Sequence, residues 1–407
     1  MSLQKKILLL GGSRYLMPVI DVAHKLGLYV ITADFLPDNY AHKYADEYVN
    51  VSIVDKEKVL AVAQEKQVAG VMSFACDPGV VSAAYVAEKM GLPFQGSYES
   101  TCILQDKGLF RQFLQEHGFN TPHAKSYTNA ADALLDVDYF EWPVIVKPVD
   151  SAGSKGVQKV LNPRDLSVAI ENALKYSINK HFIIEDFITI RGYRSSADPF
   201  TIDGKLYYNF YSDQKFDTNA DNPFIPDKII YPCTMPQTDQ DYLTDELNRL
   251  FELLHMGTGI YNIEACVGIN GKPYIMEVSP RGGGNSIAEE QRMAYGIDLV
   301  ENEVRHAVGL PLLEFPQDVS CDGYWCNYAV HAGKGQQGVF KEIVLDERIK
   351  ERNLKYLGIN VQPGDMVMPF TGAGMCLGDM FLRFDTQEEM DNAMANVDKW
   401  LKIVLEI

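Results

Sequence analysis

The chain has 407 residues, of which 46% are hydrophobic and 23% charged, an ordinary composition for a folded globular protein. Its formal net charge of −18 excludes proteins whose main partner is nucleic acid, because neutralising a phosphate backbone requires clustered Lys and Arg. No apolar run approaches the length of a membrane span, so we expect a cytoplasmic protein with no membrane partner. The length predicts two or three domains.

The seven cysteines are scattered along the chain without a CxxC pair. Most of them lie in apolar surroundings, and their odd number does not suit a set of disulfides. We therefore expect reduced thiols rather than disulfides or a zinc site.

The first hundred residues alternate short apolar strands with helical patterns, which is typical of a parallel, doubly wound sheet. The glycines after the first strand lack the spacing GxGxxG, so a dinucleotide site is not favoured. The turns at residues 12–14 and 76–78 would lie at the carboxyl ends of strands. There they either line part of a substrate crevice or are ordinary turns. The predicted strands lie at residues 7–10, 28–34, 48–51, 70–74 and 92–94, and the helices at 15–25, 56–65 and 79–90.

Two lysines occupy distinctive positions in the next part of the chain. Lys107 opens a helix that is predicted to begin at Asp106 and to end before Gly118. Lys147 is the one cation in the apolar strand at residues 142–148. A lysine in such a strand normally has an anionic partner, because burying an unpaired charge is costly.

A loop of small residues follows the strand that contains Lys147. Ser151, Gly153, Ser154 and Gly156 let the backbone approach a phosphate group and offer N–H and hydroxyl donors. Together with Lys147, the loop is a candidate polyphosphate clamp. A plain hairpin turn is the alternative interpretation.

A further apolar strand at residues 181–184 runs into Glu185, Asp186, Phe187 and Ile188. At this point an adenine ring could lie against apolar side chains, with backbone groups bonded to its edge. These four residues are therefore the candidate adenine site.

Residues 261–266 and 273–278 are predicted to form a hairpin, since Asn-Gly at positions 270 and 271 is a strong signal for a tight turn. Each strand carries one acidic residue, Glu264 and Glu277. Burying two facing carboxylates without a cation would be costly. Because Mg²⁺ takes one or two protein carboxylates and completes its shell with water and phosphate oxygens, the pair predicts a metal and a nucleotide. A solvated edge hairpin is the alternative.

Two polar residues follow the hairpin. Ser279 places a hydroxyl within ligand reach, and Arg281 precedes three glycines at positions 282–284. A guanidinium beside a flexible backbone suits a phosphate or a carboxylate.

Taken together and in this order, these motifs resemble those of the ATP-grasp superfamily. The resemblance runs from about residue 106 to residue 310, and the first hundred residues resemble the small α/β domain that precedes the grasp in those enzymes. It rests on Lys107, residues 145–148, 151–156 and 184–188, Glu264, and residues 277–281.

The resemblance implies a nucleotide, ATP, held between two α+β subdomains. It implies that Lys107 and Lys147 contact the phosphates, that the loop at residues 151–156 covers the triphosphate, and that residues 185–188 hold adenine. Glu264 and Glu277, with Ser279, would bind Mg²⁺ or Mn²⁺, and Arg281 would orient an acyl-phosphate or its carboxylate precursor.

Two positions depart from the family pattern. Ser279 stands where the family usually has Asn, and a hydroxyl is a weaker metal ligand than an amide oxygen, which puts a second metal in doubt. Arg194 stands in the register where an acidic residue often reaches the ribose, which puts that contact in doubt.

The predicted fold combines α/β and α+β classes in three domains. These are an N-terminal parallel α/β domain at residues 1–105, a two-subdomain ATP-grasp fold at 106–320 with a lid at about 120–185, and a small C-terminal α+β domain at 321–407. The C-terminal domain, whose resemblance is to the amino-acid-ligase and carbamoyl-phosphate-synthase-like branch, is predicted to contain strands at residues 324–331 and 379–384 and a helix at 387–401.

The leading functional hypothesis is an ATP-dependent ligase that activates a small carboxylate, such as an amino acid, for attack by an amine. Lys147, Lys215, Arg281 and the metal would neutralise the phosphate charge. The expected partners are small-molecule carboxylate and amine substrates without nucleic acid or membrane, and a homodimer is left open. The alternatives are a purine-biosynthesis or carbamoyl-phosphate-synthase-like enzyme, or an ATP-binding protein without catalysis.

Overall fold

The computed structural model of the chain describes residues 4–151 and 154–406. Within these residues, no helix is both long and apolar enough to cross a membrane. All seven cysteines are free thiols in the structure. The predicted combination of α/β and α+β folds is confirmed.

A four-stranded parallel sheet in the order β3-β2-β1-β4 forms the N-terminal part of the chain. It is covered on both faces because its strands are apolar on both sides: α1 packs on one face, and α2 and α3 on the other. The strands β1 to β4 are Lys6–Leu10, Tyr29–Asp34, Glu47–Asn50 and Gly70–Ser73, and the helices α1 to α3 are Met17–Lys25, Lys56–Lys66 and Asp77–Met90.

The strand predicted at residues 92–94 does not form. Gly91 ends α3 in the left-handed conformation with φ of 65°, and the N–H of Leu92 bonds back to the carbonyl of Ala87. The apolar side chains of Leu92 and Phe94 pack against the same core as α2 and α3. Their hydrophobicity therefore reflects packing rather than sheet pairing.

Two consecutive helices, α4 (Tyr98–Gln105) and α5 (Lys107–Glu116), lead into the middle of the chain. The chain turns at Asp106, whose carboxylate accepts hydrogen bonds from the N–H groups of Gly108 and Leu109 at 2.8 and 2.9 Å. This is an N-cap, and it places Lys107 at the first position of α5.

The next segment forms an antiparallel sheet in the order β5-β8-β6-β7, packed against two helices around its own apolar core. It coincides with the predicted lid, so we call it the lid. Its strands β5 to β8 are Ala124–Tyr127, Val144–Pro148, Gln158–Val160 and Phe182–Asp186, and its helices α6 and α7 are Ala130–Leu135 and Leu166–Tyr176.

The following segment forms most of a large antiparallel sheet, on which α8 packs, and a small sheet in the order β11-β10-β14. The elements in chain order are β9 (Ile190–Ala197), β10 (Phe200–Ile202), β11 (Lys205–Tyr208), β12 (Asp213–Phe216), β13 (Pro226–Tyr231), α8 (Gln237–Leu253), β14 (Gly259–Ile260), β15 (Asn262–Gly268), β16 (Pro273–Ser279), α9 (Ile287–Tyr295) and α10 (Leu299–Ala307).

The C-terminal segment adds strands to the same large sheet and forms a second small sheet, β20-β18-β22. Its elements are β17 (Tyr324–Val330), β18 (Gly338–Leu345), α11 (Glu347–Arg352), β19 (Leu354–Ile359), β20 (Met366–Val367), β21 (Gly378–Phe384), α12 (Gln387–Met394), α13 (Val397–Trp400) and β22 (Leu401–Glu406). Short 3₁₀ turns lie at Arg14–Leu16, Tyr40–Tyr44, Val137–Tyr139, Pro163–Asp165 and Ala373–Met375.

The large sheet has the order β16-β15-β9-β12-β13-β17-β21-β19 and crosses the predicted boundary at residue 320. Strands β13 and β17 pair directly, with Lys228 opposite Tyr328. The three-domain division stays a prediction, since two of its parts share this one sheet. The helix predicted at residues 387–401 is divided into α12 and α13 by a turn at residues 395–396, and β22 begins at Leu401, the last residue of the predicted range.

Candidate active site

A cleft of about 360 Å³ separates the lid from the large sheet. Strands β6 and β8 and the loop after β6 form one wall, while β9, β12, β13, β15 and β16 form the other. It brings together eight of the residues predicted for the site. They are Lys107, Lys147, Ser151, Ser154, Glu185, Glu264, Glu277 and Arg281.

Glu264 and Glu277 lie directly opposite each other on β15 and β16, next to a register shift between Glu264 and Ala265. Residues paired in this way point to the same face of a sheet, and both carboxylates line the cleft. Burial, followed by the neighbouring charge of Glu277, raises the pKa of Glu264. Two facing carboxylates in such a position are a donor set that a divalent cation would satisfy.

Within the described residues, no group of three or more His, Cys, Asp or Glu side chains is arranged for a metal ion. A pair of carboxylates nevertheless fits Mg²⁺, since this ion fills its remaining positions with water and phosphate oxygens. Glu264 and Glu277 are therefore the residues that would hold it.

Lys147 has the anionic partner that its apolar strand requires. Its Nζ lies 2.6 Å from Oε2 of Glu185, and Nε of Arg111 lies 2.8 Å from Oε1 of the same carboxylate. Burial favours the neutral form of Glu185, but Arg111 and Lys147 outweigh it and lower the pKa of this carboxyl to about 2. Glu185 is thus ionised and forms ion pairs with two cationic side chains. Its carboxylate thereby positions Lys147 at the wall of the cleft.

Lys107 lies beside the carboxylate pair. Its Nζ is 3.6 Å from Oε2 of Glu277 and donates to the carbonyl of Ser151 at 3.2 Å. Burial opposes its charge, but Glu277 and Asp77 lead the carboxylates that together raise its pKa. Lys107 is therefore a charged donor between the candidate metal ligands and the loop of small residues.

Arg281 is held by an acidic residue at the start of α3, in the N-terminal part of the chain. Its Nη2 lies 2.6 and 2.7 Å from the two carboxylate oxygens of Asp77, and its Nε donates to Oδ1 at 2.9 Å. Burial opposes this charge as well, but Asp77 raises the pKa of Arg281. The guanidinium predicted to take a substrate carboxylate is therefore already paired with a carboxylate of the chain.

Ser279 does not line the cleft. Its hydroxyl donates to Oδ1 of Asp77 at 3.0 Å and accepts from Nε2 of Gln105 at 2.7 Å, and the side chain is buried. Both partners engage the hydroxyl away from Glu264 and Glu277. We therefore withdraw Ser279 as a metal ligand, and its contacts indicate that it orients Asp77.

Lys215 is also absent from the cleft. Successive residues of a strand point to opposite faces, and on β12 it is Gln214 that lines the cavity. Lys215 points the other way, with its Nζ 3.1 Å from Oδ1 of Asp391 on α12 and 5.1 Å from the ring centre of Tyr193. We therefore withdraw its predicted role in phosphate neutralisation.

The predicted adenine segment is only partly brought to the cleft. Glu185 lines it, but Asp186, Phe187 and Ile188 do not. Oδ2 of Asp186 lies 2.8 Å from Nδ1 of His123, and the ring of Phe187 packs under Nζ of Lys159 at 3.5 Å. The backbone N–H groups of Asp186 and Phe187 are bonded within the lid. Asp186 and Phe187 therefore make their contacts within the lid.

The loop of small residues meets the opposite wall. The hydroxyl of Ser154 donates to the carbonyl of Phe224 at 3.1 Å, so the loop contacts the segment before β13. Gly156 has φ of 72° and packs against Tyr176 and Pro148 instead of lining the cleft. Gly153 lies outside the described residues. The contact through Ser154 lets the lid limit the access of water, which suits a reactive phosphorylated intermediate.

Four residues that line or support the cleft were missed or left undecided by sequence reasoning. Arg111 follows Lys107 by four positions on α5, a spacing that puts both on one helix face and was available as a signal. Asp77 lies in the turn that the sequence placed at the carboxyl end of a strand without assigning it a role. Tyr15 and Asn285, joined by a 3.2 Å hydrogen bond, have no local signal.

A family model of the ATP-grasp domain matches residues 104–285. Residues 104–285 therefore form an ATP-grasp domain. The matched ATP-grasp domain begins at the end of α4, contains the whole lid and ends after β16, so it includes both carboxylates and both lysines of the cleft.

The curated relatives of this chain are distant from it in sequence. A formate-dependent phosphoribosylglycinamide formyltransferase from Synechococcus sp. (strain WH7803) is 28% identical over 190 residues, which are 46% of this chain and 49% of that protein. A D-alanine–D-alanine ligase from Marinomonas sp. (strain MWYL1) is 33% identical over 102 residues, which are 25% of this chain and 32% of that protein. The chain thus spans half the length or less of both relatives.

Solved structures share the fold over nearly the whole chain. An L-amino acid ligase from Bacillus licheniformis matches with a TM-score of 0.81 and 21% identity, and the match covers 99% of each chain. A phosphoribosylglycinamide synthetase from Anaerococcus prevotii matches with a TM-score of 0.78 and 19% identity, covering 99% of this chain and 100% of that one. At these identities the likeness concerns the fold alone.

Proposed function

We propose that the protein is an ATP-dependent carboxylate-amine ligase that activates a small carboxylate as an acyl-phosphate. The observation that carries this proposal is the pair Glu264 and Glu277, facing each other in a cleft that also presents Lys107 and Lys147. Phosphoryl transfer requires carboxylates for a metal and cations for phosphates, and one cleft presents both. The names of the formyltransferase and ligase relatives support the same class of reaction.

In this reaction the cleft would position the substrates and supply charges that balance those of the phosphates. Mg²⁺, when bound, would neutralise phosphate charge and favour transfer of the terminal phosphoryl group to the carboxylate. Lys147, held by Glu185, and Lys107, held between Glu277 and Ser151, would bind phosphate oxygens. The loop contact through Ser154 would keep water from the acyl-phosphate. The amine nitrogen then bonds to the acyl carbon, the carbon–oxygen bond to phosphate breaks, phosphate leaves with the electron pair, and the surplus proton passes to phosphate or water.

The test is release of ADP and phosphate by purified protein with ATP, Mg²⁺ and a panel of amino acids and other carboxylates, with and without amines. At least one pair of substrates should stimulate ADP release over the rate with ATP alone. If ATP binds but no pair stimulates ADP release, the ligase proposal is wrong and a non-catalytic ATP-binding protein is the better account.

A second candidate is a related reaction of purine biosynthesis or carbamoyl-phosphate chemistry. It is favoured by the relatives whose names couple formate to phosphoribosylglycinamide or describe the large chain of carbamoyl phosphate synthase. Formate and bicarbonate in the same panel separate it from the first candidate. Stimulation by either of these, and by no amino acid, would favour the second candidate.

A further inference from the structure

A groove of about 500 Å³ lies beside the cleft and opens into it. It runs between α3, the junction of α4 and α5, and the lid. Four residues line both cavities, namely Asp77, Lys107, Ser151 and Glu277. The groove therefore meets the cleft at the end where the candidate metal ligand Glu277 lies, which is where an acyl-phosphate would form under the proposed function.

Apolar side chains from three distant parts of the chain form the wall of this groove. Val54 follows β3, Leu109 lies on α5, and Ile178 follows α7 in the lid, and their side chains are 55%, 46% and 67% exposed. Val81 and Cys102 line the groove between them. These apolar side chains are exposed to water and face one cavity next to the proposed reaction centre. Together they form a surface that an apolar group of a ligand would cover.

The charged groups of the groove favour a cation over an anion. Its lining holds the carboxylates of Asp77, Asp106, Asp150 and Glu277 but only the ammonium groups of Lys56 and Lys107. Asp106 is engaged as the cap of α5, and Asp150 accepts from the N–H groups of Ile178 and Asn179.

Asp77 has accepting capacity to spare. Its Oδ1 accepts from Arg281 and Ser279, while its Oδ2 has one partner among the described residues, Nη2 of Arg281 at 2.7 Å. Its side chain is 21% exposed and lines both cavities. A carboxylate oxygen has two lone pairs, so Oδ2 can accept a further hydrogen bond from a ligand.

We propose that the groove binds the amine substrate and selects an amine that carries an apolar substituent. The ammonium group would bond to Asp77 Oδ2 and lose one proton to water before its nitrogen attacks the acyl carbon. The substituent would lie against Val54, Leu109 and Ile178. This inference rests on the proposed function, because it names the class of the attacking amine. It also gives the Asp77–Arg281 pair a role, since Arg281 fixes the carboxylate that receives the ammonium group.

Substitution of the exposed wall residues tests the selection. Leu109→Ser and Ile178→Ser should fold normally, since both side chains are largely in water, and Leu135→Ser on α6, 83% exposed and away from the groove, is the matched control. The measurement is kcat/KM for ADP release with L-leucine, L-phenylalanine, isopentylamine and glycine as amines. We expect each groove variant to lower the preference for the apolar amines over glycine by about 10-fold, with no change in the control. An unchanged preference would overturn the inference.

A binding measurement separates this inference from the proposed function. Cys102 lines the groove and is partly exposed, so a ligand there should slow its alkylation by iodoacetamide, read by peptide mass spectrometry in the presence of a non-hydrolysable ATP analogue. The reaction is run at alkaline pH, because burial raises the pKa of this thiol. We expect the apolar amines to slow alkylation several-fold in the wild type and not in the double variant Leu109→Ser/Ile178→Ser, and glycine to have no effect.

The two measurements together identify which proposal fails. Protection of Cys102 by an apolar amine without any stimulated ADP release would support the groove and refute the ligase proposal. The opposite result is stimulated ADP release, no protection of Cys102 by any of the three apolar amines, and no change in amine preference. It would leave the ligase proposal standing and refute the proposal that the groove binds the amine.

Discussion

Nη2 of Arg281 lies within 2.7 Å of both carboxylate oxygens of Asp77. The two residues are 204 positions apart, at the start of α3 and just after β16. Their pairing joins the N-terminal sheet to the hairpin that carries Glu264 and Glu277. One side of the candidate active site is therefore built from two parts of the chain, and the pair is a structural contact as well as a chemical one.

Replacing Asp77 with Asn should destabilise the protein by about 3 kcal/mol, because it leaves the buried guanidinium of Arg281 without a counter-charge. The measurement is urea unfolding at neutral pH. Asp322→Asn is the control, since Asp322 pairs with Arg383 in the same manner but is 71% exposed, and it should leave stability unchanged. Equal stability of Asp77→Asn and the wild type would show that the ion pair contributes nothing to the fold.

Glu277→Gln should abolish turnover while the fold is kept. The amide retains the size of the side chain but removes the charge that would hold the metal, so ADP release should fall by at least about 100-fold. Glu277 is 34% exposed, so the thermal unfolding temperature should be unchanged. Glu342→Gln, at an exposed position of β18, is the control for the chemical change. Wild-type activity in Glu277→Gln would refute the metal assignment.

Glu185 should make stability depend on pH in the acid range. Its pKa is about 2 in the folded protein against 4.5 as the ordinary value, since Arg111 and Lys147 outweigh burial. A depressed pKa gives a contribution that is fully present above pH 4.5 and is lost as the pH falls towards 2. Between pH 5 and pH 3 the loss should be about 2 kcal/mol.

The measurement for Glu185 is urea unfolding of the wild type and of Glu185→Gln across this range. The variant should be less stable at neutral pH, and the difference between the two proteins should shrink as the pH falls. Glu141→Gln, at an exposed position of the lid, should differ from the wild type in stability by a small amount that does not change with pH. A stability gap for Glu185→Gln that does not change with pH would contradict the charged state assigned to this residue.

Of the glycines that follow Arg281, one should not tolerate substitution by alanine and another should tolerate it. A Cβ at Gly282 would come within 2.2 Å of Cε2 of the buried Phe74, whereas a Cβ at Gly284 would meet no atom within 4 Å. Gly282→Ala should therefore destabilise the protein by about 2 kcal/mol in thermal or urea unfolding. Gly284→Ala should be close to neutral in stability. The same loss of stability in both variants would show that the packing against Phe74 is not the cause.

Much of the candidate site was predictable because its signals are local. The Asn-Gly turn predicted the hairpin, and a register shift between Glu264 and Ala265 places Glu264 opposite Glu277. The cap at Asp106 set the position of Lys107, and one cation in an apolar strand identified Lys147. Two of the predicted site residues that lie outside the cleft, Ser279 and Lys215, have partners far away in the chain.

Local patterns in the chain thus predicted many of its strands and turns and the charged residues that they carry, since hydrophobic period, turn chemistry and caps depend on near neighbours. The partners of those residues are a property of the folded molecule. Arg111 and Glu185 are 74 positions apart, and Asp77 and Arg281 are 204 apart. Such pairs form only when separate elements pack together, because charge compensation in a buried site depends on distance in space, which no local pattern of the sequence records.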